Sequence, residues 1–95
     1  MQVIGISLLT EFSRRHAQAA SRLAAWLAEA DAAEWQNPSD IKGRYPSASI
    51  LSENRVVFNI GGNSYRLLVQ INYEAGIVLI EKVGTHREYD RWELG

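Results

Sequence analysis

Two arginines, Arg55 and Arg66, lie in stretches rich in β-branched and aromatic residues in the second half of the chain. A guanidinium carries a permanent charge and a fork of donors, so it suits the paired oxygens of a phosphate and can stabilise charge that grows during phosphoryl transfer. Arginines are also common on exposed sheet faces that have no ligand. In a stretch rich in Pro, Ser and Gly, Lys42, Arg44 and Tyr45 would extend a binding surface by two positive charges and a stacking ring.

His86 and Tyr89 form a second pair, because positions i and i+3 share one face of a helix. Both side chains can exchange protons, and histidine is the most frequent general acid or base. The alternative is a histidine in a first helical turn and a tyrosine that packs on a sheet. The other histidine, His16, belongs to a helix face. Two histidines far apart and no Cys give no recognisable metal site, so we expect no metal or other cofactor.

The chain of 95 residues contains 46% hydrophobic and 22% charged residues. This length and composition predict one globular domain over residues 1–95 and exclude a two-domain enzyme. No uncharged run approaches the ~18 residues of a membrane span, and the N-terminus lacks the features of a signal peptide. The absence of Cys favours a reducing cytoplasm. A net charge of -1 differs from that of strongly basic nucleic-acid binders.

The first part of the chain predicts a helical segment over residues 7–35. Its apolar residues recur at spacings of three and four, which gives one apolar face. They are Leu8, Phe12, His16, Ala19, Leu23, Trp26, Leu27 and Ala30. Ser7 is the expected N-cap, and a break at residues 16–18, which would make a helical hairpin, stays open. Pro38 is expected to end the helical part and to begin a connection that runs to Ser49.

Three β-branched and aromatic runs in the second half predict antiparallel strands joined by short turns. They are Arg55–Ile60, Tyr65–Tyr73 and Ile77–Val83. The first turn contains Gly61, Gly62 and Asn63, of which Asn63 tolerates left-handed backbone angles. Because this segment joins two strands, it is a hairpin turn and not a phosphate-binding loop, which would open a helix. Thr85 and Glu88 match a capping box, which predicts a short C-terminal helix.

Helices followed by a strand meander predict an α+β fold, with the N-terminal helices on one face of an antiparallel sheet and a short C-terminal helix. Side-chain alternation puts Phe58 on the core face. It puts a second set on the far face, away from the helices and open to a ligand: Arg55, Val57, Asn59, Arg66, Leu68, Gln70 and Asn72. If the second turn is even-numbered, Arg66 lies opposite Thr85, Gln70 opposite Glu81 and Ile71 opposite Ile80. An odd-numbered turn with a bulge would reverse the face of Glu81.

Several stretches together resemble the HigB family of bacterial toxins. The most specific are residues 56–67 and 84–90, and the others are residues 35–42, 45–48 and 54–55. The resemblance spans nearly the whole chain. It implies a RelE-like fold whose far sheet face forms a groove for RNA, and a toxin that cuts messenger RNA on the ribosome. It also implies an inactivating partner, a HigA-type antitoxin with a helix-turn-helix domain. The toxin would contact DNA only through this antitoxin.

The resemblance further implies roles for single residues. RelE-like toxins use no metal, and an RNA 2'-hydroxyl attacks its own adjacent phosphate, which requires a proton acceptor, a proton donor and cations. Arg66 would bind the phosphate, His86 would transfer a proton, and Tyr89 would position the substrate or donate a proton. Further RNA contacts would be Lys42, Arg44, Arg55 and Asn63. Relatives are often basic where this chain has Glu81.

A second class of function uses the same sheet face without catalysis. A module that binds RNA or another protein would require the same exposed polar groups, and the sequence does not separate it from a nuclease. Toxicity on expression does separate them, because a nuclease toxin should arrest growth unless its antitoxin is present. A neighbouring reading frame for a helix-turn-helix protein would also favour the toxin.

Overall fold

The computed structural model describes residues 1–93 and shows a five-stranded sheet with α1 and α2 packed on one face. The helices are α1 (Ile6–Arg15), α2 (Ala17–Ala32), α3 (Pro38–Arg44) and α4 (His86–Tyr89). The strands are β1 (Gln2–Ile4), β2 (Ser49–Ile50), β3 (Arg55–Ile60), β4 (Tyr65–Asn72) and β5 (Ile77–Thr85). The order in the sheet is β1-β5-β4-β3-β2. The predicted α+β class and the short C-terminal helix are confirmed.

Strand β1 is absent from the sequence-based prediction, and it makes the sheet mixed instead of wholly antiparallel. It pairs with β5 in parallel, with Val3 beside Val78. Val3 is buried in the core, and the Gln2 N–H donates to the Gly76 carbonyl at 2.7 Å. A strand of three residues is too short for its alternation to be recognised in the sequence. The N-terminal residues therefore form one edge of the sheet.

The predicted helical segment over residues 7–35 is a helical hairpin, because α1 ends at Arg15 and α2 begins at Ala17. His16 has a non-helical backbone between them, with φ -132° and ψ 76°, and its ring stacks on Phe12 at 4.3 Å between centroids. The N-cap of α1 is Gly5 and not Ser7. The buried face of α1 consists of Leu9 and Phe12, whereas Leu8, expected in the core, is 41% exposed.

Pro38 begins a helix instead of a loop, so the predicted connection to Ser49 is wrong. The Asn37 side chain accepts a hydrogen bond from the Asp40 N–H at 3.1 Å, and the Asp40 carboxylate accepts one from the Gln36 N–H at 2.9 Å. Proline is well suited to the first helical position, where its missing N–H costs nothing. Helix α3 has only two turns, so its periodicity is weak, but Ile41 anchors it in the core.

The predicted pairing of β3 with β4 is confirmed, with Phe58 opposite Leu67 and Arg55 opposite Gln70. Phe58 is fully buried at the centre of the core. Three aromatic rings surround it, at centroid distances of 5.4 Å for Trp26, 6.0 Å for Trp35 and 5.0 Å for Tyr45. Side chains on this core face of the sheet pack against the helices, and the side chains at alternate strand positions point to the far face.

The predicted pairing of β4 with β5 is wrong. Ile71 lies opposite Val78 and Arg66 opposite Gly84, with a register shift between Leu68 and Val69. In this bulge Glu81 is the extra residue of β5, and Lys82 takes the position opposite Leu68. A bulge adds one residue to one strand and so changes which residues share a face beyond it. Lys82 therefore takes a far-face position, and Glu81 has no partner in β4.

We expect the turn between β1 and α1 to tolerate no side chain at Gly5. Its φ is 96°, and an added Cβ would lie 3.0 Å from the Ile80 carbonyl oxygen. Gly5→Ala should lower the free energy of unfolding by about 1–3 kcal/mol. Gly43→Ala is the matched control and should be neutral or stabilising, since its added Cβ meets no atom within 4 Å and lies in α3. Urea unfolding measures both, and wild-type stability of Gly5→Ala would contradict this account.

Candidate functional site

Arg66 lies near the start of β4 on the far face, opposite Asn59 and Gly84. The sequence predicts an open surface here, but Arg66 is only 7% exposed. Its Nη1 donates to the main-chain carbonyls of Asn63 at 3.0 Å and Tyr65 at 3.2 Å. Burial of a charge requires such hydrogen bonds, because they replace the water that the guanidinium has lost. The side chain is therefore held in one position by the main chain.

The guanidinium of Arg66 keeps further donors available. Within residues 1–93 its hydrogen bonds are made by Nη1, and the donors on Nε and Nη2 have no partner. Among the described residues, Trp26 Nε1 is the one side-chain nitrogen or oxygen that is both buried and without a hydrogen-bond partner. Since Nε and Nη2 of Arg66 also have no partner, these two nitrogens are not fully buried. A planar pair of donors of this kind matches two oxygens of a phosphate.

Tyr89 lies against Arg66, with the guanidinium carbon 5.3 Å from the centroid of the tyrosine ring. Tyr89 ends α4, and His86 begins it. The main-chain N–H of His86 donates to the Ser64 carbonyl at 3.0 Å, which attaches α4 to the turn between β3 and β4. The His86 imidazole is about half exposed, and its Nδ1 is 3.5 Å from a carboxylate oxygen of Asp90. The structure thus brings Arg66 and Tyr89 into contact, with His86 one helical turn away.

The turn of Gly61 to Ser64 supports both elements of this site. Gly61 and Gly62 have φ values of 63° and 69°, so the glycines, and not Asn63, adopt the left-handed backbone. Asn63 contributes its carbonyl to Arg66, while Ser64 contributes its carbonyl to His86. The Asn63 side chain itself is exposed. Asn63 therefore contacts the site through its main chain.

The predicted capping box at the start of α4 is confirmed. The Thr85 N–H donates to Glu88 Oε1 at 2.9 Å, and the Glu88 N–H donates to Thr85 Oγ1 at 3.1 Å. The Thr85 amide lowers the pKa of the Glu88 carboxyl, and the positive charges of His16 and Arg15 add to this effect. The cap sets where α4 begins and hence where His86 and Tyr89 lie.

Lys42 and Arg44, which the sequence predicts as an extension of the binding surface, each have partners within the fold. Lys42 Nζ donates to the carbonyls of Pro46 and Ala48 and so closes the end of α3. Arg44 forms an ion pair with Glu29 of α2, and the Tyr45 hydroxyl donates to the other Glu29 oxygen at 2.6 Å. This hydroxyl lowers the pKa of Glu29, and burial raises the pKa of Tyr45. Both cations therefore have structural partners, Lys42 in the segment after α3 and Arg44 in α2.

Arg55 shares the far face with Arg66 but lies at the other end of β3. It is opposite Gln70, four residues from the position opposite Arg66. At the rise of a strand, four residues correspond to roughly 13 Å. The Arg55 Nε donates to the Ser52 carbonyl at 3.3 Å. The two arginines are therefore not one phosphate clamp.

Three features of the far face are absent from the sequence-based prediction. Val57 and Leu68 are buried, so its centre is apolar. Lys82 Nζ lies 5.6 Å from the centroid of the Trp92 ring, and that ring meets Tyr89 edge to face at 5.5 Å. Trp92 is not among the residues that the sequence analysis assigns to the site. The bulge that brings Lys82 to this face has no signal in the sequence, because Glu81-Lys82 continues a regular strand pattern.

Within residues 1–93 no three His, Asp or Glu side chains are close enough together to hold a metal ion. No helix in this part of the chain is both long and apolar enough to cross a membrane.

Helices on one face of the sheet and a cation with aromatic rings on the other are consistent with a RelE-like fold. The sequence profile of the HigB toxin family, the RelE-like toxic component of a toxin-antitoxin system, matches residues 19–92. The chain therefore belongs to the HigB toxin family. The mRNA interferase toxin HigB of Escherichia coli strain K12 and the mRNA interferase HigB of Shigella flexneri are each 33% identical over 58 residues. That region is 59% of this chain and 56% of either relative, so the chain spans about half their length.

We expect the capping box to depend on pH. A carboxyl with a pKa lowered by folding stabilises the fold above its unfolded pKa, and this contribution is lost as the pH falls through the folded pKa. The NMR shift of the Thr85 amide proton should therefore titrate with a midpoint below 4.5, the ordinary glutamate value. Glu88→Gln should abolish this titration. A midpoint at or above 4.5 would show that the cap does not stabilise the Glu88 charge.

Proposed function

We propose that this protein is an endoribonuclease, the toxin of a toxin-antitoxin pair, which cuts messenger RNA on the ribosome. The observation that carries the proposal is the contact of Arg66 with Tyr89, one helical turn from His86. Family membership supports the role of toxin, and relatives named mRNA interferases support the substrate. We also propose that residues 1–95 act as one domain.

The first step is binding of the scissile phosphate. Nη1 of Arg66 is engaged by two carbonyls, so Nε and Nη2 can bind two oxygens of the phosphate without moving the side chain. Donors that are fixed before the reaction stabilise growing charge without reorganisation, which is the main source of electrostatic catalysis. The Tyr89 ring under the guanidinium keeps water from that side of the charge.

The second step is attack by the RNA itself. The oxygen of the 2'-hydroxyl bonds to the adjacent phosphorus as the bond from phosphorus to the 5'-oxygen breaks, which leaves a 2',3'-cyclic phosphate and a 5'-hydroxyl. One proton leaves the attacking oxygen and another reaches the departing oxygen. His86 transfers one of these protons, with Asp90 beside its Nδ1 and Nε2 free for substrate. The Tyr89 hydroxyl positions the phosphate or donates the other proton, and we propose no metal or cofactor.

The remaining partners follow from the same proposed function. We propose a HigA-type antitoxin with a helix-turn-helix domain as the inactivating partner, with DNA contacted only through it, and a cytoplasmic location. Arg55 and Asn63 remain candidate RNA contacts at the borders of the far face. Lys42 and Arg44 are weaker candidates, because each would have to leave its present partners to meet RNA.

Replacement of Arg66 should greatly slow cleavage. Arg66→Ala and Arg66→Lys should each slow cutting by ~10²–10³-fold, because a lysine keeps the charge but not the planar fork. Arg14→Ala, an exposed cation on α1, should cut at the wild-type rate. Primer extension on purified ribosomes with a defined message measures the rates, and circular dichroism gives the folded fraction of each variant. Wild-type cutting by Arg66→Ala would remove the phosphate role from this residue.

Variants of His86 and Tyr89 should distinguish the roles of the two side chains. His86→Gln should slow cutting by ~10²-fold with ribosome association intact, whereas His16→Gln should match the wild type once corrected for folded fraction. If the Tyr89 hydroxyl takes part in the chemistry, Tyr89→Phe should be slow. If only the ring supports Arg66, Tyr89→Phe should cut normally and Tyr89→Ala slowly. The same primer-extension assay decides, and a fully active His86→Gln would leave that histidine without a role in proton transfer.

A further inference from the structure

The indole of Trp92 lies on the far face directly beside the Arg66 site. A Cβ added at Gly84 would lie 2.9 Å from Cζ2 of Trp92, so the indole rests on the glycine that pairs with Arg66 across the sheet. No other residue type at position 84 leaves this space. The position of Trp92 is therefore determined by the strand under it and not only by α4.

Two cations and two aromatic rings alternate along this surface. Lys82 lies over Trp92 at 5.6 Å, Trp92 meets Tyr89 at 5.5 Å, and Tyr89 lies under Arg66 at 5.3 Å. Lys82 is diagonal to Arg66 across the two strands, since each is two residues from the other's partner. Diagonal neighbours in an antiparallel pair are roughly 7–8 Å apart. The positive charge of Lys82 therefore lies next to the proposed position of the scissile phosphate.

This combination suits single-stranded RNA better than a protein. Positive charges follow a phosphate backbone, and aromatic rings stack on any base. The other tryptophans cannot do this, because Trp26 and Trp35 are buried around Phe58, whereas Trp92 is partly exposed. Lys82 is exposed, and its described partner is the indole itself. A phosphate can replace that contact without breaking a hydrogen bond of the fold.

We propose that Trp92 and Lys82 form a nucleotide subsite next to the cleavage site, which rests on the function proposed above. Trp92 stacks on the base of a nucleotide that flanks the scissile bond, and Lys82 binds the phosphate of the same nucleotide. Tyr89 connects this subsite to Arg66, so a bound neighbouring nucleotide holds the scissile phosphate in register with the guanidinium. Trp92 is a positioning residue, and it takes part in no bond exchange.

The decisive experiment tests whether the Trp92 indole interacts with the base of a flanking nucleotide. Wild type and Trp92→Leu cut ribosome-bound messages that carry either a normal or an abasic nucleotide on each side of the cut. At one flanking position the wild type should lose about 10-fold or more on the abasic message. Trp92→Leu should lose as much on the normal message and nothing further on the abasic one. Independent losses that multiply at both positions would overturn the subsite.

Further variants guard against a trivial folding defect. Trp92→Phe keeps an aromatic ring at this position and should retain part of the stacking. Lys82→Gln should reduce the slope of log affinity against log salt for a single strand by about 0.7, as expected for one lost phosphate contact. Arg14→Gln removes the same charge from α1 and should leave this slope unchanged.

A direct binding measurement separates failure of the subsite from failure of the proposed function. An uncleavable 2'-O-methyl RNA oligonucleotide should quench the tryptophan fluorescence of the wild type but not that of Trp92→Phe. If the wild type is quenched in this way yet cuts no message, the subsite stands and the nuclease function fails. If the wild type cuts messages but shows no coupling to the flanking base, the nuclease function stands and the subsite fails. With neither cutting nor quenching, both fail.

Discussion

The site depends on how a buried positive charge is accommodated in the sheet. Arg66 has lost nearly all contact with water, and the carbonyls of Asn63 and Tyr65 compensate its Nη1. Hydrogen bonds to a charged group contribute about 1.5–3 kcal/mol, and an uncompensated buried charge costs more than that. The turn must therefore present its carbonyls inward, and two successive glycines with positive φ allow it to do so. Nη1 is engaged by these carbonyls, so Nε and Nη2 are the donors that we propose for the phosphate.

The same turn also sets the position of α4. The Ser64 carbonyl accepts from His86, and the capping box fixes the first residue of the helix. A four-residue helix has too few internal hydrogen bonds to persist alone, so these contacts and Trp92 on Gly84 maintain it. Without these contacts the side chains on so short a helix would be mobile. Here one hairpin turn supports both Arg66 and the helix that carries His86 and Tyr89.

Much of this arrangement can be predicted from the sequence where its cause is local. The pairing of β3 with β4 follows from alternation and an even turn, and the capping box from two residues three apart. Strand β1 and the bulge at Glu81 could not be predicted, because both arise from pairing between distant segments. The role of Pro38 could not be predicted for a different reason, since proline is compatible both with the end of a helix and with the start of one. Charge alone also does not reveal that Lys42 and Arg44 have partners elsewhere in the fold.

The central claim is that the RNA's own 2'-hydroxyl attacks the phosphate held by Arg66, and one substitution in the substrate tests it most directly. A message with a single 2'-deoxynucleotide at the cut position is placed on purified ribosomes with the wild-type protein. We predict that this message stays intact at that position, while the unmodified message is cut to a cyclic phosphate end under the same conditions. Equal cutting of the two messages would contradict the mechanism.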